Sequence, residues 1–263
     1  MTMQPTRSDA RPSMKQLLRS TLRRVGLHAF TDGSLPTGVD WLHDIRRARL
    51  VGDSPLCFDV GANVGQTVLS LRERFPAARI HAFEPFEAPR RELLALAHRL
   101  PNVQVVALAL GAQCGTIEVE PRLHSVLNTL VPAPDGSAGG PAETIRIDTV
   151  DRYCAELAIE HIDILKTDTE GFDLSVLQGA AAMLKAGRIT YVYSEMTFDA
   201  SNRQNTPAAS VIDFLAGHGY VFLGLYETYP LHNFAAPNLF CNGLFVDGAA
   251  RQRSVAQLIA AIT

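Results

Sequence analysis

The feature that most constrains the fold is an alternation of apolar runs and helical patterns that begins near residue 55. Leu56–Val60, Arg79–Phe83 and Val103–Ala107 are short runs typical of β-strands. Between them, Val64–Arg74 and Glu87–Leu100 carry the apolar spacing of amphipathic helices. Strands separated by helices favour a parallel sheet with right-handed crossovers, so the chain is predicted to be α/β.

The second half of the chain continues this alternation and then adds two late strands. It is predicted to form two strands and two helices, at Ile162–Thr167, Ile189–Ser194, Leu174–Leu184 and Pro207–His218. Tyr220–Leu225 and Leu239–Val246 follow with no long helix between them, which indicates an antiparallel pair. The order predicts a Rossmann-like, doubly wound sheet of seven strands, mostly parallel, with an antiparallel pair at its C-terminal end.

Chain length and composition suit one such domain with a short extension. The chain has 263 residues, of which 47% are hydrophobic, and this is enough to bury a large core. We assign residues 1–50 to an N-terminal helical extension and residues 51–263 to the domain that contains the sheet. Within it, Thr116–Glu120 alternates like an edge strand, and the Pro- and Gly-rich residues 131–141 are predicted to form a surface loop.

Charge and apolar patterning argue against several classes of protein. The net charge of −3 lacks the basic excess of a nucleic-acid binder, so no nucleic-acid partner is expected. No stretch of sequence approaches the roughly 18 apolar residues of a transmembrane helix, and the first residues lack the apolar core of a secretory signal. The cysteines form no CxxC pair, which argues against a disulfide framework or a zinc site. These features favour a cytoplasmic protein.

The N-terminal segment differs from the rest of the chain because it is basic. Residues 1–30 carry six Lys and Arg side chains against Asp9 alone, and residues 14–27 have apolar positions at helical spacing. One interpretation is a helix that makes peripheral contact with an anionic membrane surface. The other, which we favour, is a packing helix preceded by a frayed tail.

A glycine-containing turn, in the segment FDVGANVGQT, follows the first predicted strand. Gly61 and Gly65 permit a tight turn and the close approach of a ligand. A dinucleotide fingerprint would place glycines at positions 61, 63 and 66, but the last two positions hold Asn63 and Gln66. The carboxylate of Asp59 would repel a polyanion, whereas it can accept hydrogen bonds from an ammonium group. S-adenosylmethionine has an ammonium, a sulfonium and no phosphate, so it is the predicted ligand.

A second acidic residue, Glu84, ends the second predicted strand. From that position a carboxylate can accept hydrogen bonds from both ribose hydroxyls of a nucleoside. NAD-dependent enzymes use the same device, so Glu84 alone does not separate S-adenosylmethionine from a nicotinamide dinucleotide. The combination of Glu84 with the non-glycine residues of the turn favours S-adenosylmethionine.

Three segments, CFDVGANVGQT, HAFEP and HIDILKTDTEGFDLSVLQGA, resemble the FkbM-type methyltransferase family. The similarity runs from about residue 38 to residue 246 and includes the lead-in GVDWL at residues 38–42. The resemblance implies a class I methyltransferase fold, S-adenosylmethionine as cofactor, and methylation of a hydroxyl group on a sugar or a polyketide-type product. It also implies that residues 51–263 form the methyltransferase catalytic domain.

The resemblance further implies a set of cofactor contacts. Those around the methionine part of the cofactor are Asp59, Gly61, Ala62, Asn63, Gly65, Gln66 and Thr67. Glu84, followed by Pro85, would bind the ribose, and Ala107 and Leu108 would lie near the adenine. Ser125 and Asn128 match a Ser/Asn-containing stretch of the family, although ordinary loop capping explains these two residues equally well.

A second polar segment, KTDTEG at residues 166–171, follows a buried apolar strand. Three charged side chains at the end of a strand are costly unless they are paired or used in chemistry. Lys166 and Asp168 share one face of the strand, whereas Glu170 lies beyond, in the turn. Asp168 is expected at the edge of the active site, where it would face the methyl group of the cofactor.

Glu195 ends the neighbouring predicted strand, so Asp168 and Glu195 could reach one substrate. Three interpretations stay open: one carboxylate is the general base, the pair helps to hold magnesium that orients a sugar diol, or Lys166 only forms a salt bridge with one acid. We take Asp168, Glu195 and Lys166 as catalytic candidates, with Asp168 as the base. We assign no metal ligands, because two carboxylates are too few to fix a metal site.

The acceptor is expected to bind between loop 121–141 and segment 196–238. Residues 226–238 are aromatic and polar, which suits stacking on a sugar ring, but a packed hairpin connection explains them equally well. His124 and His232 lie in these regions and are more simply surface residues. The predicted function is O-methylation of a sugar hydroxyl on a glycan, glycolipid or glycosylated natural product. The alternatives are an NAD-dependent oxidoreductase and a catalytically silent cofactor-binding subunit.

Overall fold

The computed structural model describes residues 14–119, 142–202, 204–229 and 240–260, which belong to two compact units, Met1–Thr37 and Gly38–Thr263. The first unit contains helix α1 (Met14–Arg24) and a short 3-10 turn. Leu18 and Val25 are exposed, and the choice between membrane contact and packing for this helix stays a prediction. In the part of the chain that is described, no helix is long and apolar enough to cross a membrane.

The second unit is built on a seven-stranded sheet that confirms the predicted architecture. The strands of this unit are β1 (Leu56–Val60), β2 (Arg79–Phe83), β3 (Val103–Val106), β4 (Ala109–Leu110), β5 (Gly115–Val119), β6 (Glu143–Asp148), β7 (Ile162–Thr167), β8 (Ile189–Met196), β9 (Tyr220–Tyr229) and β10 (Phe240–Asp247). The large sheet has the order β3-β2-β1-β7-β8-β10-β9. Strand β10 runs antiparallel to both of its neighbours, and the other pairs are parallel.

Helices cover both faces of this sheet. They are α2 (Trp41–Ala48), α3 (Gln66–Arg74), α4 (Glu87–Ala97), α5 (Val150–Glu156), α6 (Asp173–Gln178), α7 (Ala181–Lys185), α8 (Ala208–Gly217) and α9 (Gly248–Ala260). The single helix predicted over Leu174–Leu184 is therefore two helices. The carboxylate of Asp151 accepts hydrogen bonds from the backbone N–H groups of Ala182 and Met183, so a contact from α5 starts a new helix at that point.

The strand predicted at Thr116–Glu120 corresponds to β5, but it does not belong to the large sheet. It pairs antiparallel with β6, and β6 pairs parallel with β4, which gives a separate sheet of three strands. This small sheet continues from the end of β3, close to the position predicted to bind the adenine.

The central strands are buried on both faces, as expected for a parallel sheet covered by helices. All five residues of β1 are buried, with Phe58 in the core on one face and Cys57 in the core on the other. Helix α2 contributes Trp41 and Ile45 to the second core. The compact unit consequently begins at Gly38, and it includes a helix that the sequence analysis had placed in the N-terminal extension.

Candidate active site

A cavity of about 400 Å³ opens at the carboxyl ends of β1, β2, β7 and β8, where an open α/β sheet is expected to bind its ligand. It brings together most of the residues predicted from the sequence. Those on its wall are Gly61, Ala62, Asn63, Gln66, Thr67, Glu84, Pro85, Leu108, Lys166, Asp168 and Glu195. The predicted cofactor residues and the predicted catalytic residues therefore share one cavity.

The turn after β1 is bonded to the neighbouring strand β2. The backbone N–H groups of Gly61 and Ala62 both donate to the carbonyl oxygen of Phe83, at 3.1 and 3.0 Å. The N–H of Asn63 donates to Oε2 of Glu84 at 2.9 Å. A pyrophosphate site needs such N–H groups for the phosphate oxygens, but here the protein itself uses them. The N–H groups of these three residues are therefore not available to a phosphate.

The two glycines of the turn are required by packing within the protein. A Cβ atom on Gly61, which has a φ of +79°, would lie 1.9 Å from the carbonyl oxygen of Asp168. A Cβ atom on Gly65, with a φ of +99°, would lie 2.5 Å from a methyl carbon of Leu96 in α4. Gly61 thus allows the end of β7 to approach the turn after β1, and Gly65 allows α4 to pack beside that turn.

Glu84 lies at the end of β2 and is only 5% exposed. Its Oε1 accepts a hydrogen bond from the N–H of Phe86, and its Oε2 accepts the one from Asn63, both at 2.9 Å. Burial raises the pKa of Glu84 to about 7, although these two hydrogen bonds oppose the shift. Each oxygen keeps a lone pair, so the carboxylate can also accept hydrogen bonds from two ligand hydroxyls.

Some predicted cofactor contacts do not line the cavity. Asp59 is fully buried, and its Oδ1 lies 3.0 Å from Nζ of Lys166, so it cannot bind an ammonium group of the cofactor directly. Gly65 faces α4, and Ala107 lines a separate depression beside the small sheet. Ser125 and Asn128 lie outside the described residues, as do His124 and His232.

Lys166 connects the turn after β1 to the end of β7. Its Nζ lies 3.0 Å from Asp59 and 3.3 Å from Oδ2 of Asp168, and it donates to the carbonyl oxygen of Gly61 at 3.3 Å. Burial lowers the pKa of Lys166, but the two carboxylates outweigh burial and the pKa is raised. Lys166 therefore stays protonated and cannot act as a base. The predicted salt bridge is present, and it joins Lys166 to two acids rather than one.

Three carboxylates meet at the edge of the cavity. Asp168, Glu170 and Glu195 each offer one oxygen, and these oxygens all lie within 4.8 Å of one another. Burial, followed by the charge of Asp168, raises the pKa of Glu195. Glu195 is only 4% exposed, whereas the side chain of Asp168 is 39% exposed. Asp168 is the more accessible of the two predicted bases.

The cavity wall also contains residues that the sequence analysis did not assign to the site. The rings of Trp41 and Tyr193 stack with centroids 4.1 Å apart. The Tyr193 hydroxyl and Nδ2 of Asn242 both donate to Oε2 of Glu227, at 3.0 and 3.1 Å. Tyr193 shares a strand face with Glu195, so period-two spacing could have identified it. Asn242 is placed by pairing between distant strands, which leaves no local signal.

In a comparison with known protein families, the model of the Methyltransferase FkbM domain matches residues 59–222 of this chain. The AMB antimetabolite synthetase AmbE of Pseudomonas aeruginosa is 27% identical in an alignment of 199 residues that covers 62% of this chain and 9% of AmbE. The methyltransferase sdnD of Sordaria araneosa is 30% identical in an alignment of 158 residues that covers 48% of this chain and 60% of sdnD. The chain thus spans less than two thirds of the length of these relatives.

Among solved structures, the methyltransferase FkbM of Methylobacillus flagellatus KT superimposes with a TM-score of 0.50. The alignment covers 74% of this chain and 44% of that one, at 18% sequence identity. At this identity the likeness concerns the fold, and it agrees with the strand order of the large sheet.

Proposed function

The chain belongs to the FkbM methyltransferase family and has the class I methyltransferase fold, and from this we propose that it transfers a methyl group from S-adenosylmethionine to a sugar hydroxyl. The observation that carries the proposal is the composition of the cavity. It has two halves. The cofactor half is formed by Gly61, Ala62, Asn63, Gln66, Thr67, Glu84 and Leu108, and the acceptor half by Asp168, Glu195, Trp41, Tyr193, Glu227 and Asn242.

The cofactor half suits a ligand that is cationic and carries a ribose. Its turn has already used the N–H groups of Gly61, Ala62 and Asn63, so it offers little to a pyrophosphate. Glu84 is placed to accept hydrogen bonds from the ribose hydroxyls. The carboxylate of Asp168 lies next to the turn and can attract the ammonium and sulfonium charges. These properties favour S-adenosylmethionine over a nicotinamide dinucleotide.

The acceptor half supplies orientation and a base for the reaction. In our mechanism the acceptor oxygen attacks the methyl carbon in line with the sulfonium, the sulfur–methyl bond breaks, and S-adenosylhomocysteine leaves as a neutral thioether. The hydroxyl proton passes to the carboxylate of Asp168. Lys166 is a positioning residue, because its contacts hold Asp168 against Asp59 and the carbonyl of Gly61.

A sugar is the proposed acceptor because the wall combines an aromatic pair with polar groups. Trp41 and Tyr193 present apolar surface, and Glu227 and Asn242 offer a carboxylate and an amide to hydroxyl groups. We propose a glycan or glycolipid acceptor, methylated in the cytoplasm. One relative is named an antimetabolite synthetase, so a glycosylated natural product is the second candidate.

The test is a comparison of Asp168→Asn with wild type in two assays. Transfer of labelled methyl from S-adenosylmethionine to a panel of glycans should fall by about 100-fold or more, because the general base is removed. Binding of S-adenosylhomocysteine should change by only a few-fold. Asp213→Asn, on the exposed face of α8, is the matched control and should keep both properties. Unaltered transfer by Asp168→Asn would show that the base has been misassigned.

A further inference from the structure

The three carboxylates at the cavity edge have the spacing of ligands to one metal ion. Two oxygens that share an ion can be separated by at most twice the metal–oxygen distance, which is about 4.2 Å for Mg²⁺ and about 4.8 Å for Ca²⁺. The oxygens of Asp168, Glu170 and Glu195 lie within 4.8 Å of one another. This spacing is close to that of oxygens bound to one hard cation, and a small closure of the three side chains would bring all three oxygens within reach of one ion. Oxygen ligands of this kind are those that hard divalent cations prefer.

Two of these carboxylates are oriented by amide groups from one loop. Nε2 of Gln204 donates to Oε2 of Glu170 at 2.8 Å, and Nδ2 of Asn205 donates to Oε2 of Glu195 at 2.6 Å. Hydrogen bonds of this kind fix carboxylate ligands in metal sites. They hold both side chains in place at the edge of the cavity.

An independent observation is the buried amide of Asn242. Asn242 is 6% exposed and stands opposite Glu195 in the pairing of β10 with β8, on the wall of the same cavity. Its Nδ2 donates to Glu227, and this fixes which end of the amide carries the oxygen. Its Oδ1 is buried and has no hydrogen-bond partner among the described residues. An amide oxygen left unsatisfied beside a carboxylate cluster is available as a further neutral ligand.

We propose that Asp168, Glu170 and Glu195 bind one hard divalent cation, such as Mg²⁺ or Ca²⁺, with the amide oxygen of Asn242 as a fourth ligand. The role of this cation rests on the proposed function. Bound beside the acceptor, it would coordinate the sugar hydroxyls and favour loss of the proton from the one that attacks. Glu195 then acts as a ligand, and Asp168 serves both the cation and the acceptor.

The direct test is a titration of the full chain with Mn²⁺, after a chelator has removed any metal and with no cofactor or acceptor present. The EPR signal of free Mn²⁺ reports how much of the ion is bound. Wild type should bind one Mn²⁺. Glu170→Gln should weaken Mn²⁺ binding at least tenfold, and Asn242→Leu should weaken it several-fold. The double variant Glu170→Gln/Glu195→Gln should bind no Mn²⁺. Glu84→Gln alters a carboxylate in the cofactor half of the same cavity, so its affinity should stay within twofold of wild type. Equal Mn²⁺ binding by wild type and the double variant would overturn the proposal.

The midpoint temperature of thermal unfolding shows whether each variant folds. Removing carboxylates relieves repulsion, so without metal the double variant should unfold at the same temperature as wild type or higher. Added Mg²⁺ or Ca²⁺ should raise the midpoint of wild type alone, because only a folded site binds the ion. S-adenosylhomocysteine binding in the presence of chelator separates the two proposals. If it persists while no metal binds, only the cation is wrong; if metal binds and S-adenosylhomocysteine does not, the methyltransferase proposal is wrong.

Discussion

The two halves of the cavity are built in different ways. The cofactor half comes from short, consecutive segments, the turn after β1 and the end of β2, whose backbone groups bond to each other. The acceptor half collects side chains from α2, β7, β8, β9 and β10, which are far apart in sequence. Its hydrogen bonds mostly run from neutral side chains to carboxylates, and Glu170 and Glu227 both have a positive φ. The cofactor half is held by backbone hydrogen bonds, whereas the acceptor half is held by contacts between side chains.

Because the two halves are built differently, substitutions in them should affect different properties of the protein. A change in the cofactor half should alter cofactor affinity, and a change in the acceptor half should alter turnover or acceptor affinity. Lys166 and Gly61 join the two halves, so variants at these positions should damage both.

The largest effect is expected from Lys166→Met. It leaves Asp59 fully buried without its partner, which should lower the free energy of unfolding by about 3–5 kcal/mol at neutral pH. The loss should shrink in acid, because a protonated Asp59 needs no partner. Urea unfolding at several pH values measures this, with the exposed Lys185→Met as a control that stays within about 0.5 kcal/mol. Adding Asp59→Asn should restore much of the stability; no restoration would contradict the pairing.

Gly61→Ala should be the next largest effect. The new Cβ would overlap the carbonyl of Asp168, so the turn or the end of β7 must move, at a cost of about 2–5 kcal/mol. S-adenosylhomocysteine binding and methyl transfer should both be lost in the fraction that folds. Gly52→Ala, where a Cβ meets nothing within 4 Å, should retain both. If Gly61→Ala kept either property, Gly61 would not connect the two halves.

The affinity for the cofactor should depend on pH, and it should change by at most about tenfold per pH unit because one group titrates. Without ligand the pKa of Glu84 is about 7, and ribose hydroxyls that donate to the carboxylate favour its ionised form. S-adenosylhomocysteine affinity should therefore rise between pH 6 and pH 8, and the pKa of Glu84 should fall on binding. Calorimetric titrations should show this for wild type and for the surface variant Glu87→Gln. Glu84→Gln should bind more weakly with a flat profile, and a rising profile in that variant would exclude Glu84 as the titrating group.

Tyr193→Phe should give the smallest effect. The variant keeps the stacking on Trp41 but removes one hydrogen bond to Glu227, an interaction of about 0.5–1.5 kcal/mol. We expect KM for the acceptor to rise about two- to tenfold with the affinity for S-adenosylhomocysteine unchanged. If Tyr193→Phe instead lost affinity for S-adenosylhomocysteine while KM for the acceptor stayed unaltered, Tyr193 would belong to the cofactor half.

The sequence predicts the cofactor half better than the acceptor half for a physical reason. Strands β1, β2 and β7 have the bounds expected from their apolar runs, because buried parallel strands are nearly continuous in hydrophobic residues. The turn and Glu84 lie at the ends of those strands, so their meeting follows from the topology. Asp59 was the exception, since the pattern could not reveal that Lys166 would cover it.

The acceptor half depends on contacts between distant segments. Asn242 reaches the site only because β10 pairs with β8 in a register that sets it opposite Glu195. Trp41 is brought in by packing of α2 on the sheet, and the sequence analysis had separated that helix from the domain. The approach of Glu170 to Asp168 and Glu195 depends on its left-handed backbone in the turn, which spacing along a strand does not predict.

We propose that the cofactor half binds S-adenosylmethionine and not a dinucleotide. Isothermal titration of the wild-type chain with S-adenosylhomocysteine and, separately, with NADH tests this. We expect saturable one-to-one binding of S-adenosylhomocysteine, weakened by Glu84→Gln, and no saturable heat with NADH. Tight NADH binding without any response to S-adenosylhomocysteine would contradict this assignment.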